Sequence, residues 1–129
     1  MTGQQEKITI NMNVVDLGRI DLLVEQGFYT NRAEFVRSAV TRALDLHHSD
    51  LKHLTNVNRY VVGVTRLRRA DLEAVSARNE RLRLHVVGMV VIDGDVSPEL
   101  AEQTIEAVRV RGVLRATEEV RAALADRMA

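Results

Sequence analysis

Seven residues near the start of the chain alternate without exception. In Lys7–Asn13 (KITINMN), Ile8, Ile10 and Met12 fall on one side and Lys7, Thr9, Asn11 and Asn13 on the other. A period of two is the mark of a strand with one apolar and one polar face. The next residues are helical in grammar. Asn13 is placed to cap a helix, with Asp16 three residues on, and Leu17, Ile20, Leu23 and Val24 recur at helical spacing until Gly27. Thr30 is read as the cap of a second helix, whose apolar stripe runs through Phe35, Val36, Ala39, Val40, Ala43 and Leu44. Residues 1–48 thus hold one strand and two helices. A unit of that size buries too little surface to stand alone, and a lone strand leaves its backbone groups unpaired. A twofold partner solves both problems. Two copies of the strand pair antiparallel, with Ile8, Ile10, Met12, Leu17, Ile20, Phe35, Val36 and Val40 in a shared core. Lys7, Thr9 and Asn11 then point outward from a two-stranded ribbon.

The remainder is read as a polar linker or loose helical extension over 49–58, and then an α/β domain over 59–129. Strands are expected over Tyr60–Leu67, Leu84–Ile92 and Val108–Leu114, and helices over Ala70–Asn79, from Ser97-Pro98 onward, and over Thr117–Arg127. Proline suits the first position of a helix, where its missing N–H is no loss. A faint repeat runs through this half: Val61-x-Gly63, Val86-x-Gly88 and Val110-x-Gly112. The later copies also match Leu84 with Val108, Val90 with Leu114, Val96 with Val120 and Leu100 with Leu124. A strand, a turn and a short helix at a fixed period indicate a solenoid-like stack, although any strand-turn-helix series can produce such matches by chance. Strand 84–92 is apolar on both faces and is expected to be central or covered by a partner. The fold class is therefore α+β, a small β-α-α intertwined dimer carrying a C-terminal α/β domain.

Composition narrows the chemistry. With 46% hydrophobic and 28% charged residues, the 129-residue chain has the balance of a soluble globular protein. It has no cysteine, which removes disulfides, thiolate metal sites and cysteine nucleophiles. No run of 18 apolar residues occurs, so no membrane span is expected. The first ten residues lack a charged start with an apolar stretch behind it, so the expected compartment is the cytoplasm. Neither a glycine-rich phosphate loop nor a nucleophile elbow is present, and no enzymatic activity or cofactor is expected. His47, Asp50 and His53 share a spacing of three that could hold a metal, but solvated helix-surface residues are the simpler reading. Asp93-Gly94-Asp95 lacks the further ligands of a calcium loop and is read as a turn.

The N-terminal residues resemble a known family. The strand KITINMN, the first helix, the turn GFYTNRAEFVR and the apolar second helix are similar to the ribbon-helix-helix DNA-binding domain of the Arc, MetJ and CopG type, over about residues 6–46. The most specific part is Gly27-Phe28-Tyr29-Thr30-Asn31-Arg32-Ala33-Glu34, close to a common form of that family's interhelix turn. The resemblance implies a homodimeric, bacterial, archaeal or phage transcriptional regulator, typically a repressor, that inserts the ribbon into the major groove of double-stranded DNA. It places Lys7, Thr9 and Asn11 at base-reading positions and Thr30, Asn31 and Arg32 at a phosphate clamp. The side chains suit those roles. Lysine fits guanine acceptors, asparagine pairs with adenine, and a helix N-terminus offers N–H groups to a phosphate.

The charge balance runs the other way. Residues 1–53 hold six Lys and Arg against seven Asp and Glu, so this segment is one unit negative. Phosphate contacts normally dominate affinity. A single dimer is therefore expected to bind weakly, unless the charges are segregated or several dimers bind together. This makes residues 59–129 a candidate assembly module that builds a higher homo-oligomer. The alternatives are a domain that senses a small effector, a toxin-binding antitoxin segment, or a structural protein that uses the ribbon only to dimerise.

Overall fold

The structure, a computed structural model, describes residues 5–128; the outermost residues of the two expected units, 1–4 and 129, lie outside it. The chain divides into two compact units with the boundary between Lys52 and His53.

The first unit contains α1 (Val14–Glu25) and α2 (Arg32–Leu46). Asn13 caps α1 as its chemistry requires: its side-chain oxygen accepts from the N–H groups of Val15 at 2.8 Å and Asp16 at 3.4 Å. Ile20 is the one buried residue of this helix. Between the helices, Tyr29 meets Phe35 edge to face, with ring centroids 5.0 Å apart. Two expectations are corrected here. The cap of α2 is Asn31 rather than Thr30, because the Asn31 side chain accepts from the Glu34 N–H at 2.8 Å. In addition, Lys7–Asn13 forms no strand within the single chain. A strand exists only by hydrogen bonding to another, and among the described residues of the first unit no segment pairs with it.

The stretch 49–58, read as a polar linker or a loose helical extension, takes the second of these forms. It is helical: α3 runs from His48 to Val57 and crosses the boundary between the units. Leu51, Leu54 and Val57 recur at a spacing of three and give it an apolar side, and all three are exposed.

The second unit alternates strand and helix: β1 (Val61–Leu67), α4 (Arg69–Ala77), β2 (Leu82–Ile92), α5 (Pro98–Thr104), β3 (Ile105–Arg115) and α6 (Glu118–Leu124), closed by a 3-10 turn over Ala125–Arg127. The three strands form one parallel sheet in the order β1-β2-β3, so the doubly apolar β2 is central. Strands 2 and 3 each extend beyond the ranges read from sequence because their ends, Leu82 and Ile105, pack on the core as well. Leu67, Val86, Val90, Ile92, Val108 and Leu114 of the sheet bury against Leu72, Ala101, Val120 and Leu124 of the helices. The buried Thr104 hydroxyl donates to the Leu100 carbonyl at 2.7 Å, which removes the cost of an unsatisfied polar group.

The three Val-x-Gly triplets stand side by side. Val61, Val86 and Val110 are register partners across the sheet, as are Gly63, Gly88 and Gly112. Each of these glycines has a positive φ, +139°, +136° and +129° in turn, which L side chains rarely adopt. A Cβ on Gly88 would collide with the Gly63 carbonyl oxygen, and one on Gly112 with that of Gly88. The repeat is thus a column in which the backbone of one strand enters the space a side chain would occupy on the next.

Candidate nucleic-acid interface

The residues with recognition chemistry lie in the first unit, around a groove between the N-terminal segment and α2. Ile8, Ile10, Met12 and Leu17 line it from one side and Ala33, Val36 and Val40 from the other, around a cavity of about 890 Å³. Lys7, Asn11, Arg32 and Arg37 stand along the same groove. Its apolar wall is largely open to solvent: Ile8 is 79% exposed, Ile10 60% and Val40 52%. Met12, Leu17, Phe35 and Val36 are half-buried, and only Ile20 is fully enclosed. Of the expected dimer core, Ile8, Ile10, Met12, Leu17, Val36 and Val40 line this open groove, whereas Ile20 is buried within the unit and Phe35 packs on Tyr29. Thr9, at the middle of the segment, is exposed.

The start of α2 is organised in more detail than the sequence alone suggests. With Asn31 as the cap, the first intrahelical bond runs from the Phe35 N–H to the Asn31 carbonyl at 3.2 Å. The N–H groups of Arg32 and Ala33 lie ahead of it, in the turn that has no helical acceptor. The Glu34 carboxylate reaches back to accept from the Thr30 N–H at 2.9 Å. Hydrogen bonding from Thr30, through its side chain and its backbone N–H, holds the Glu34 carboxyl below its ordinary range. Thr30 is therefore committed to a carboxylate within its own chain. Asn31 with Glu34 three residues on matches the spacing of a capping box, a signal that is present in the sequence one residue later than the cap expected at Thr30.

Arg32 is also engaged. Its guanidinium donates twice to Asp21 on α1, Nε to Oδ1 and Nη2 to Oδ2, each at 2.7 Å. The paired geometry is the strong, planar form of the arginine–carboxylate interaction. The hydrogen bond from Arg32 holds Asp21 below the usual aspartate range, and its charge adds to the effect. Both partners remain more than half or about half exposed, at 57% and 50%. The pair is thus solvent-facing, and its guanidinium is fixed in place without being buried. Sequence reasoning misses Asp21, because eleven positions separate it from Arg32 and only the turn between the helices brings them together.

His47 Nδ1 lies 3.2 Å from Asp50 Oδ2, but among the described residues no group of three or more His, Cys, Asp or Glu side chains is arranged to hold a metal. The Asp93 turn is structural: its carboxylate accepts from Arg66 Nε at 2.9 Å and Nη2 at 3.3 Å. Among the described residues no helix is long and apolar enough to cross a membrane.

No curated protein and no solved structure matches the chain. The sequence model of the Ribbon-Helix-Helix transcriptional regulator family does match it, over residues 3–121. The match reaches far beyond the 6–46 segment that carries the resemblance, and takes in all three strands of the second unit. An N-terminal segment of alternating apolar and polar residues, two helices capped by asparagine behind it and an apolar groove open to solvent fit such a regulator. On these grounds the chain belongs to the ribbon-helix-helix family of transcriptional regulators, DNA-binding proteins that dimerise.

Proposed function

We propose that this protein is a sequence-specific repressor that acts in the cytoplasm by occupying a short, roughly palindromic operator. The observation that carries this reading is the half-built core of the first unit. Ile8 and Ile10 are exposed beside Val36 and Val40, which supports closure by a second copy. Antiparallel pairing of two Lys7–Asn13 segments gives each backbone its missing partner and leaves Lys7, Thr9 and Asn11 on the outer face of the ribbon. A two-stranded ribbon fits the major groove, where asparagine can hold adenine bidentately and lysine can reach guanine.

At the start of α2, the open N–H groups of Arg32 and Ala33 suit a phosphate, with Asn31 fixing the turn and Thr30 beside it. Arg32, aligned by Asp21, supplies the positive charge. Because the segment 1–53 is slightly acidic overall, affinity rests on a few placed cations, and assembly through residues 59–129 would add avidity on adjacent sites.

Titration of duplex DNA at several salt concentrations tests this reading. Binding should weaken as salt rises, with a slope of about −0.9 per phosphate neutralised. Arg32→Ala should weaken binding on every sequence and flatten the slope by about 1 per site. Binding that does not respond to salt, or an Arg32→Ala chain with unchanged slope, would rule out the clamp.

A further inference from the structure

We infer that the free edge of β1 is a second homomeric interface, in which β1 pairs antiparallel with β1 of another copy across a twofold axis at Gly63. This rests on the reading that the protein works as an assembly of identical chains, and it names the strand that joins them.

The two edges of the sheet are treated differently. The β3 edge is covered at three points by the chain itself. Arg121 donates to the Leu114 carbonyl, Arg127 donates to the Ile105 carbonyl at 3.0 Å, and Met128 bridges to Val108. On the β1 edge, Val61, Val62 and Val64 are 62%, 68% and 52% exposed, so valines on both faces of one strand stand in water. Edge strands are ordinarily protected by charge, proline or a covering element. Arg66 is the one charge within β1, it lies near the strand's end, and Asp93 holds it.

Gly63 indicates what belongs there. At Gly88 and Gly112, the positive φ turns the side-chain position toward the neighbouring strand, and a backbone carbonyl fills the space. Gly63 shares that φ, but nothing lies within 4 Å of the equivalent position. The position is open space at the free edge, so a further strand can approach Gly63 as closely as Gly63 approaches Gly88.

A second copy fits it. With the twofold at Gly63, glycine opposes glycine, Val62 opposes Val64 of the partner subunit, and Val61 opposes Thr65 of the partner subunit. No like charges meet, and β-branched residues face each other, a favourable cross-strand pairing. The head-to-tail alternative, β3 of one copy against β1 of the next, would have to displace the Met128 bridge.

The full chain contains no cysteine, so a single introduced thiol reports cleanly. In Val62→Cys, the two thiols would sit diagonally across the twofold, at the separation of about 7–8 Å usual for diagonal strand neighbours. A short bis-maleimide should convert most of the protein to covalent dimers. A mixture of Val62→Cys and Arg111→Cys chains should add no mixed product. Mixed products without Val62→Cys dimers would overturn the inference in favour of head-to-tail assembly, and no crosslinking would overturn it outright. Amide exchange on the unmodified protein supplies an independent check. The β1 amides that point away from β2 should be protected, and rapid exchange there would contradict the pairing even if the cysteine variant failed to fold. Duplex binding measured on the same samples separates the two readings. Crosslinking without DNA binding would sink the proposed function and leave the interface standing, and DNA binding without crosslinking would do the reverse.

Discussion

Arg32 shows how one side chain can be held in place and held back by the same contact. Asp21 orients its guanidinium through two 2.7 Å bonds, and also neutralises the charge that a phosphate would use. Asp21→Asn should therefore raise affinity for duplex DNA severalfold on all sequences while leaving sequence preference unchanged, as a comparison of specific and random duplexes would show. The carboxyl resonance of Asp21 gives a direct check on the pair. Its folded pKa is lowered, so the contribution of the pair is present above the ordinary aspartate range and is lost as pH falls through the lowered value. Arg32→Ala should return the Asp21 titration toward its usual range. The cap can be tested in the same unit. Asn31→Ala should cost about 0.5–2 kcal/mol in urea unfolding, the usual range for a lost N-cap, whereas Thr30→Ala should leave that cap intact. A loss from Thr30→Ala with none from Asn31→Ala would return the cap to Thr30. Residue type alone does not separate the two positions, since threonine and asparagine both cap helices. The choice is made by which oxygen reaches the Glu34 N–H, a matter of backbone angles.

At the scale of elements, the glycine column carries the clearest prediction. Gly88→Ala must place a methyl group against the Gly63 carbonyl at a φ of +136°, and should destabilise the second unit by more than about 3 kcal/mol. Gly94 has open space around its side-chain position and no such φ, so Gly94→Ala should stay within about 0.5 kcal/mol. Thermal or urea unfolding of the pair decides it, and similar stabilities would mean that the column is not a close approach. The strands are legible in the sequence because runs of Val, Ile and Leu between turn residues leave little else to fold into. The Val-x-Gly repeat also carries the register, since residues at the same position in consecutive strands are hydrogen-bonded neighbours. Helix α3 is less legible. Its sequence, HSDLKHLTNV, has few strong helix formers and borders a histidine pair, so its polar composition resembles a linker. The Lys7–Asn13 segment is the opposite case: its alternation is plain, but among the described residues of the single chain it pairs with no strand and forms none.

For the whole molecule, the two units differ in how far each closes its own core. The first presents a groove of exposed apolar residues beside a few placed polar ones, and the second builds its own core of Leu72, Val90, Ile105, Val108, Val120 and Leu124. The family match runs through both, which argues that the second unit is part of the regulator and not an unrelated appendage. Homomeric pairing in both units would let weak individual dimers bind a longer stretch of DNA cooperatively. The ribbon's role in reading sequence is the central claim, and selection of bound duplexes from a randomised pool by the full chain tests it most directly. The wild-type chain should enrich a short, roughly palindromic sequence. Asn11→Ala should still bind DNA but lose about 1–3 kcal/mol of discrimination at the positions that Asn11 reads. Enrichment of the same sequence with undiminished preference by Asn11→Ala would contradict the assignment of the ribbon as the reading element.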